Sequence, residues 1–194
     1  MLGISPHGKT DPAIVREILR VKLQSDTPEE GQIASVLEAY VTFLKEEVHG
    51  SPSYRVLPGV TILLKELAGR TDVMVGLATG NVELGARIKL DRGRLNSYFS
   101  FGGFGSDSED RTELVRRAAG KAADKNGGPI DPSNIFVIGD TPLDIDAGRR
   151  AGFQTVGVAT GNYSVKQLLA SGATIAVGDL ARGRDYFLRS TFIA

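Results

Sequence analysis

The chain has no cysteine and only two histidines among its 194 residues. Without cysteine it can form neither a disulfide nor a thiolate site. The two histidines, His7 and His49, have no partner at the spacing of metal ligands, and we expect both to be surface residues. The sequence also lacks the Gly-x-Ser-x-Gly elbow of serine hydrolases and the glycine-rich motifs that bind nucleotides. Several common kinds of active site are therefore excluded.

Charge and hydropathy exclude further classes of partner. Lys+Arg and Asp+Glu are both 23, so net charge gives no reason to expect a nucleic-acid or membrane partner. No uninterrupted apolar run reaches the roughly 18 residues of a membrane-spanning helix. Residues 1–7 lack the basic start and long apolar region of a secretory signal. We therefore expect a cytoplasmic protein with neither a nucleic-acid nor a membrane partner.

The first third of the chain has the periodicity of helices. Thr10 or Asp11 can cap a helix that carries Pro12 in its first turn. The stretch Thr-Pro-Glu-Glu at residues 27–30 predicts the start of a second helix, which continues to about Gly50. Two amphipathic helices cannot form a substantial core alone, so this region must pack on another part of the molecule.

From residue 57 onward, short apolar strands alternate with helices. We predict strands at residues 73–78, 135–138, 155–159 and 173–177, with a weaker glycine-containing candidate at 98–104. Helices are predicted at residues 58–68, 82–90, 112–125, 143–151 and 164–170, with Thr112 as a cap. This alternation is typical of an α/β fold with a Rossmann-like parallel sheet and helices on both faces.

Residues 135–148, IFVIGDTPLDIDAG, are the most informative stretch. They place Asp140 and Asp144 just after an apolar strand, at the carboxyl end where open α/β sheets bind ligands. Clustered carboxylates suit a hard cation such as Mg²⁺, which shares its oxygen ligands with phosphate. The alternative is a capped turn, with Asp144 favourably placed in the first turn of a helix.

A short sequence occurs twice, as GLATGN at residues 76–81 and GVATGN at residues 157–162. Both copies lie at a strand end before a helix. Each can be an ordinary turn with a polar cap and a flexible glycine. Alternatively, one copy presents a hydroxyl and backbone N–H groups to a phosphate at a helix N-terminus. The repeat alone does not say which copy does so.

Three segments in order carry a family resemblance. Residues 77–81 (LATGN), a basic residue near 109–111 (EDR) and residues 139–144 (GDTPLD) resemble the haloacid dehalogenase (HAD) superfamily. Residues 57–60 (LPGV) and 8–12 (GKTDP) are similar to its phosphoglycolate-phosphatase-like branch. The resemblance covers nearly the whole chain. It implies a partial helical cap over residues 1–56, an α/β core over 57–194, and Mg²⁺-dependent hydrolysis of a small phosphorylated metabolite.

The resemblance assigns roles to phosphate-binding residues. Thr79 would hydrogen-bond the transferring phosphoryl group, helped by the backbone N–H groups of Gly80 and Asn81. Thr160 belongs to the other copy of the repeat and would sit on the outer strand. Arg111 resembles the basic residue that neutralises charge on nucleophile and phosphate; the alternative is a solvated residue at a helix start.

The same resemblance assigns the metal site. Asp140 would bind Mg²⁺ directly, and Asp144 would bind it or orient its waters. Asp146 faces elsewhere on the same helix and is expected at the surface.

The chain departs from the family in its nucleophile. Family members begin with an apolar strand ending in Asp-x-Asp-x-Thr, which supplies the attacking aspartate and the general acid/base. Here Asp11 aligns with the cap, Asp146 lies within the metal motif, and Asp185 follows no strand. We therefore expect impaired or absent turnover and weak Mg²⁺ affinity. The alternative function is a non-catalytic phosphate-binding or protein-interaction module.

The missing strand would lie in the middle of the sheet, between those ending at Thr79 and Asp140. Its absence leaves two inner edges with unpaired backbone groups. Three accounts are open. The sequence is a truncated copy with its start assigned too late; it is a non-catalytic relative whose sheet closes up or dimerises across the gap; or another strand fills the vacancy. A homodimer through the sheet edges is accordingly one expected assembly.

Overall fold

The computed structural model describes residues 3–4, 8–24 and 26–189. Eight α-helices occur within these residues: α1 Asp11–Leu23, α2 Glu30–Gly50, α3 Val60–Ala68, α4 Glu83–Arg92, α5 Arg111–Asn126, α6 Pro142–Ala151, α7 Val165–Ala170 and α8 Arg184–Arg189. Five strands accompany them: β1 Leu77–Thr79, β2 Gly102–Phe104, β3 Phe136–Gly139, β4 Gln154–Val158 and β5 Ile175–Val177. Short 3-10 helices cover Asn96–Tyr98 and Pro132–Asn134.

The strands form two parallel sheets. β1 pairs with β2, and β3, β4 and β5 form a second sheet in that order. The predicted α/β fold with parallel strands is therefore confirmed. In the described part of the chain, β1 and β3 do not pair with each other and no strand lies between them. The sheet expected to be missing its central strand is thus divided at that place.

The position of β4 corrects one expectation. We placed Thr160, which follows β4, on the outer strand. β4 instead lies in the middle of the three-stranded sheet, and β5 forms its outer edge. The side chains of β4 are accordingly buried, with Val156 at 0% and Val158 at 4% exposure.

Two predicted element boundaries also differ. The strand expected over residues 73–78 is paired only at Leu77–Thr79, because β2 is short and offers partners to just those positions. Helix α5 begins at Arg111 rather than Thr112, and its cap is Asp110. The Asp110 carboxylate accepts a hydrogen bond from the Thr112 backbone N–H at 2.8 Å, which satisfies one of the donors left open at a helix start.

The two N-terminal helices pack on the α/β region, as two helices without a core of their own must. Thr10 caps α1 by accepting a hydrogen bond from the Ala13 N–H. Arg16 of α1 bonds Glu109 at 3.0 Å and Glu30 at 2.9 Å, which links the helical region to the start of α5. No helix of the described residues is long and apolar enough to cross a membrane.

Candidate functional site

The carboxyl ends of β1 and β3 face one cavity. Its volume is about 230 Å³, and residues of both strands line it. The polar side chains of its lining are Thr79, Arg111 and Asp144. Thr79 ends β1, Arg111 is the first residue of α5, and Asp144 lies in the first turn of α6. Three residues that are far apart in sequence are therefore brought to the same place.

Both carboxylate oxygens of Asp144 are engaged. Oδ1 accepts a hydrogen bond from the Arg111 guanidinium. Oδ2 accepts from the Thr141 hydroxyl at 2.8 Å and from its backbone N–H at 3.1 Å, while the Thr141 hydroxyl accepts from the Asp144 N–H. This reciprocal capping box starts α6. The capped turn given as the alternative for Asp144 is therefore present, and its role at a metal site stays a prediction.

Gly139 makes this arrangement possible. A Cβ at this position would lie 2.2 Å from the Asp144 Cβ and 2.6 Å from its Oδ2. Only glycine lets the end of β3 approach the first turn of α6 so closely. The glycine of the motif is thus a packing requirement.

Asp140 lies in the turn between β3 and α6. Burial raises the pKa of its carboxyl, the nearby Asp144 charge raises it further, and Arg111 opposes the shift. The second copy of the sequence repeat lies against it, since a Cβ on Gly161 would come within 2.4 Å of Asp140 Oδ2. The sequence did not indicate this contact, because it pairs two loops that follow different strands.

The N–H groups of Asn81 and Val82, at the end of the first copy of the repeat, already have acceptors within the protein. The Asn81 N–H donates to the Thr79 hydroxyl at 3.2 Å. The Val82 N–H donates to Asp11 Oδ2 at 2.9 Å, and the Asn81 side-chain amide donates to Asp11 Oδ1 at 3.1 Å. A carboxylate therefore already occupies the N-terminus of α4, which we had expected to face a phosphate.

Asp11 is the residue that sequence reasoning missed at this site. It was interpreted as a helix-capping residue of the N-terminal region, yet it is buried and bound to the β1–α4 loop. Its own backbone N–H donates to the Gly80 carbonyl at 2.7 Å. The packing is close, because a Cβ on Gly80 would lie 2.8 Å from the Lys9 carbonyl oxygen. A buried carboxylate leaves no local sequence signal when its donors are 70 and 71 residues away.

Two further ionisable groups surround Asp11. Lys89 of α4 donates to the Asn81 side-chain carbonyl at 3.0 Å, and burial lowers the pKa of its ammonium while the Asp11 charge opposes this shift. Burial and the charge of Asp11 raise the pKa of Tyr40 to about 12. The contact between α1, α2 and α4 is therefore polar and partly buried.

Arg111 is more buried than a solvated helix-start residue. Its side chain is 25% exposed and pairs with Asp144. Its Nε is buried and has no hydrogen-bond partner within the described part of the chain. A buried donor without an acceptor is costly, by roughly 1–3 kcal/mol. This nitrogen is therefore a candidate contact for a group that the described residues do not supply.

The carboxylates fit a magnesium ion only in part. Among the described residues there is no cluster of three or more His, Cys, Asp or Glu side chains that could hold a metal. Mg²⁺ nevertheless keeps several waters and is often bound by one or two carboxylates together with substrate phosphate. Asp140 is the residue best placed for this, since Asp144 is bound to Arg111 and Thr141.

Asp146 is exposed, as predicted, and lies 3.8 Å from Arg150. His49 is exposed, and its Nδ1 lies 3.1 Å from the Lys45 carbonyl oxygen. His7 lies outside the described residues.

Known proteins resemble this chain in sequence and in fold. Residues 111–182 match a family model described as HAD-hydrolase-like. No curated protein sequence matches significantly. A hydrolase from Pseudomonas syringae shares 23% identity and a TM-score of 0.67 over 93% of this chain and 78% of its own.

Two further solved structures have names that point to phosphate chemistry. A β-phosphoglucomutase from Clostridium difficile is 20% identical, with a TM-score of 0.66 over 93% of this chain and 79% of its own. A predicted phosphoglycolate phosphatase from Haemophilus somnus is 17% identical, with a TM-score of 0.64 over 90% of this chain and 75% of its own. At these identities the likeness concerns the fold. Residues 111–182 are thus similar to HAD-hydrolase-like domains, and the solved structures show that the fold extends over nearly the whole chain.

Proposed function

We propose that this chain is a phosphate-binding relative of Mg²⁺-dependent phosphatases, with the metal-and-phosphate part of their site and no nucleophile of its own. The observation that carries the proposal is the convergence of Thr79, Arg111 and Asp144 on one cavity edge beside the turn of Asp140. A hydroxyl and a guanidinium can donate hydrogen bonds to a phosphate. Carboxylates can bind the hard cation that accompanies it.

Each side chain has a role in this proposal. The Thr79 hydroxyl and the Arg111 guanidinium would donate to the oxygens of a phosphate monoester. Asp140 would bind Mg²⁺, and Asp144 would hold Arg111 in position through the contact that the structure describes. When bound, Mg²⁺ would screen the negative charge of the phosphate and polarise its oxygens.

We expect no hydrolysis by residues 1–194 alone. Among the described residues, no aspartate follows a strand that lies between β1 and β3. An in-line attack on phosphorus needs such a group on the far side of the phosphate. We therefore expect no Mg²⁺-dependent hydrolysis of an aryl phosphate above background, and turnover that Asp140→Asn abolishes would contradict this.

Phosphate binding provides the direct test. Inorganic phosphate with Mg²⁺ should bind the full chain in a calorimetric titration, and Thr79→Val should weaken this by about tenfold, the effect of roughly 1.4 kcal/mol. The equivalent residue of the other repeat copy gives the matched control, because Thr160→Val should change binding little. The reverse pattern would assign the phosphate to the other loop. No binding by the unmodified chain would contradict the proposal.

The metal is tested separately, with Mn²⁺ as a paramagnetic substitute for Mg²⁺. Asp140→Asn should reduce Mn²⁺ binding, whereas Asp146→Asn, on the exposed side of the following helix α6, should not. Equal binding by both variants would show that the metal does not use Asp140.

A non-catalytic interaction module is the second candidate function. The division of the sheet between β1 and β3 favours it, because two strand edges that flank an apolar cavity can bind another polypeptide.

A further inference from the structure

A second cavity, of about 190 Å³, lies at the amino end of β1. Residues 73–75, which precede β1, line both this cavity and that of the candidate site. The polar side chains of the two cavities differ, because Thr79, Arg111 and Asp144 line only the first. Those of the second cavity can all donate hydrogen bonds: Arg70, Tyr98, Ser100 and Lys125. The second cavity therefore has a chemistry of its own.

The second cavity opens where the pairing of β1 with β2 stops. The Leu77 N–H donates to the Phe101 carbonyl at 3.1 Å, which is the last bond of the ladder at this end. Two residues earlier, the parallel pattern would join the Val75 N–H to the Phe99 carbonyl. The Arg87 guanidinium bonds to that carbonyl instead, at 2.7 Å. The Val75 backbone makes no hydrogen bond within the described residues, so its N–H is unpaired beside the cavity.

The charged side chains of the lining are both cations. The Arg70 guanidinium is neutralised by Asp72, to which it donates at 2.9 Å and 2.6 Å. Lys125, in the last turn of α5, has no ion pair or hydrogen bond with any described residue. Among the described residues, no carboxylate lines the cavity. One positive charge is therefore left without a counter-charge, and an occupant with a single negative charge matches it.

The rest of the lining suits a small apolar body with hydrogen-bond acceptors at one side. Leu64 and Leu67 of α3 are 8% and 9% exposed and form an apolar wall with Phe101. The hydroxyls of Tyr98 and Ser100 have no hydrogen-bond partner in the part of the chain that the structure describes. A cavity of roughly 150 Å³ with apolar walls holds a benzene ring. The second cavity, at about 190 Å³, therefore accepts a ring that carries one small polar group.

From these observations we propose that the second cavity binds a small organic carboxylate whose apolar body has the size of a benzene ring. The ring lies against Leu64 and Phe101. The carboxylate pairs with the Lys125 ammonium and accepts hydrogen bonds from the Val75 N–H and from the two hydroxyls. Its two oxygens have enough lone pairs for these donors. This inference does not depend on phosphate or metal binding at the candidate site.

Benzoate is the probe for this site, and benzamide, which has the same shape without the charge, is its control. Benzoate should bind the full chain at one site with a dissociation constant of about 1 mM, the order expected for about nine non-hydrogen atoms. Benzamide should bind about tenfold more weakly, because it cannot pair with the Lys125 ammonium. Nitrogen–proton correlation spectra should show shifts at the amides of Tyr98, Ser100 and Lys125, which line only this cavity.

Variants of Lys125 separate the effect of its charge from effects on the fold. Lys125→Met keeps the length of the side chain and should weaken benzoate binding about tenfold while leaving benzamide binding unchanged. Lys125→Arg keeps the charge and should retain benzoate binding. Lys166→Met is the matched control, because Lys166 lies on α7, outside the cavity lining, and carries the same charge. This control should bind benzoate as the unmodified chain does.

A cavity-filling variant tests the volume. Ser100 is exposed and lines the cavity, so Ser100→Phe should fill the space without disturbing the core and should abolish binding of both probes. Retained binding in Ser100→Phe would place the probes elsewhere and overturn the proposal.

Three other outcomes would also overturn it. Benzoate that does not bind the unmodified chain at about 10 mM, or binds no better than benzamide, would mean that this cavity does not select a carboxylate. Shifts at Arg111 in place of Tyr98 and Ser100 would assign benzoate to the cavity of the candidate site. Equal weakening by Lys125→Met and Lys166→Met would mean that benzoate responds only to the overall charge of the protein.

Discussion

Arg111 and Asp144 are joined by an ion pair across 33 residues of sequence, between the first residue of α5 and the first turn of α6. The pair is largely buried, with side-chain exposures of 25% and 14%. It fixes the starts of two helices to each other at the mouth of the cavity. The candidate site is therefore held together by one of its own charged contacts, which gives mutations there a structural effect as well as a functional one.

Removal of the Asp144 carboxylate should destabilise the fold. Asp144→Ala leaves Arg111 without a partner and removes the capping box with Thr141, so we expect a loss of about 2–4 kcal/mol in the free energy of unfolding. Urea unfolding at neutral pH, followed by circular dichroism, measures this. Asp146→Ala, exposed on the same helix, should change stability by less than about 0.5 kcal/mol. Equal losses would show that the ion pair does not stabilise the fold.

The contact of Asp11 with α4 should be visible in amide exchange. Asp11→Ala removes the acceptor of the Val82 N–H, so exchange at this amide should accelerate, and stability should fall by about 1–2 kcal/mol. Glu17→Ala is the control, because Glu17 belongs to the same helix and its one ion pair among the described residues is with exposed Lys9. Unchanged protection of Val82 in Asp11→Ala would mean that the carboxylate does not hold this helix start.

Two glycines should respond to alanine in opposite ways. A Cβ on Gly80 would lie 2.8 Å from the Lys9 carbonyl oxygen and 3.1 Å from the Thr10 Cα, so Gly80→Ala must push this backbone away. We expect it to cost about 1–3 kcal/mol. Gly120 lies within α5 and a Cβ there meets no atom within 4 Å, so Gly120→Ala should stabilise the protein by about 0.5–1 kcal/mol. Thermal unfolding of both variants distinguishes them.

The Tyr40 hydroxyl should lose its proton at a higher pH than an ordinary tyrosine. Burial and the charge of Asp11 raise its pKa in the folded protein to about 12, above the value of about 10 for an unfolded chain. Its contribution to stability is therefore complete below about pH 10 and is lost as the pH rises through the folded pKa. Absorbance of tyrosinate during an alkaline titration should show a late component that Tyr40→Phe removes. Its persistence in Tyr40→Phe would assign the shift to another tyrosine.

The sequence predicted the positions of the strands better than it predicted how far they are paired. The apolar runs before Thr79 and Asp140 predicted two parallel strands, and both are present, because short apolar segments alternating with helices have few other ways to be buried. The extent of pairing could not be predicted, since it depends on the partner strand. Residues 73–76 follow the pattern of a strand but have no paired neighbour in the described chain.

The site was predictable where its residues lie next to strand ends. Asp140, Asp144 and Thr79 carry local signals in their glycines and in the helix starts that follow them. Asp11 carries none, because its donors come from a loop that only the packing of α1 on α4 brings near. The position of Gly161 against Asp140 was missed for the same reason, since the order of β3 and β4 sets it.

The sequence by itself determined the kind of fold and the approximate positions of its helices and strands, because periodicity and capping act between residues that are close in the chain. Only the tertiary structure decided which charges pair, and it joined Asp144 to Arg111 and Asp11 to the start of α4. Within the described residues β1 and β3 are unpaired, as the resemblance implied, and the structure places an apolar cavity between them. Burial and strand pairing depend on contacts between residues that are far apart in the chain. The partner of each charged group is therefore decided only when the chain folds.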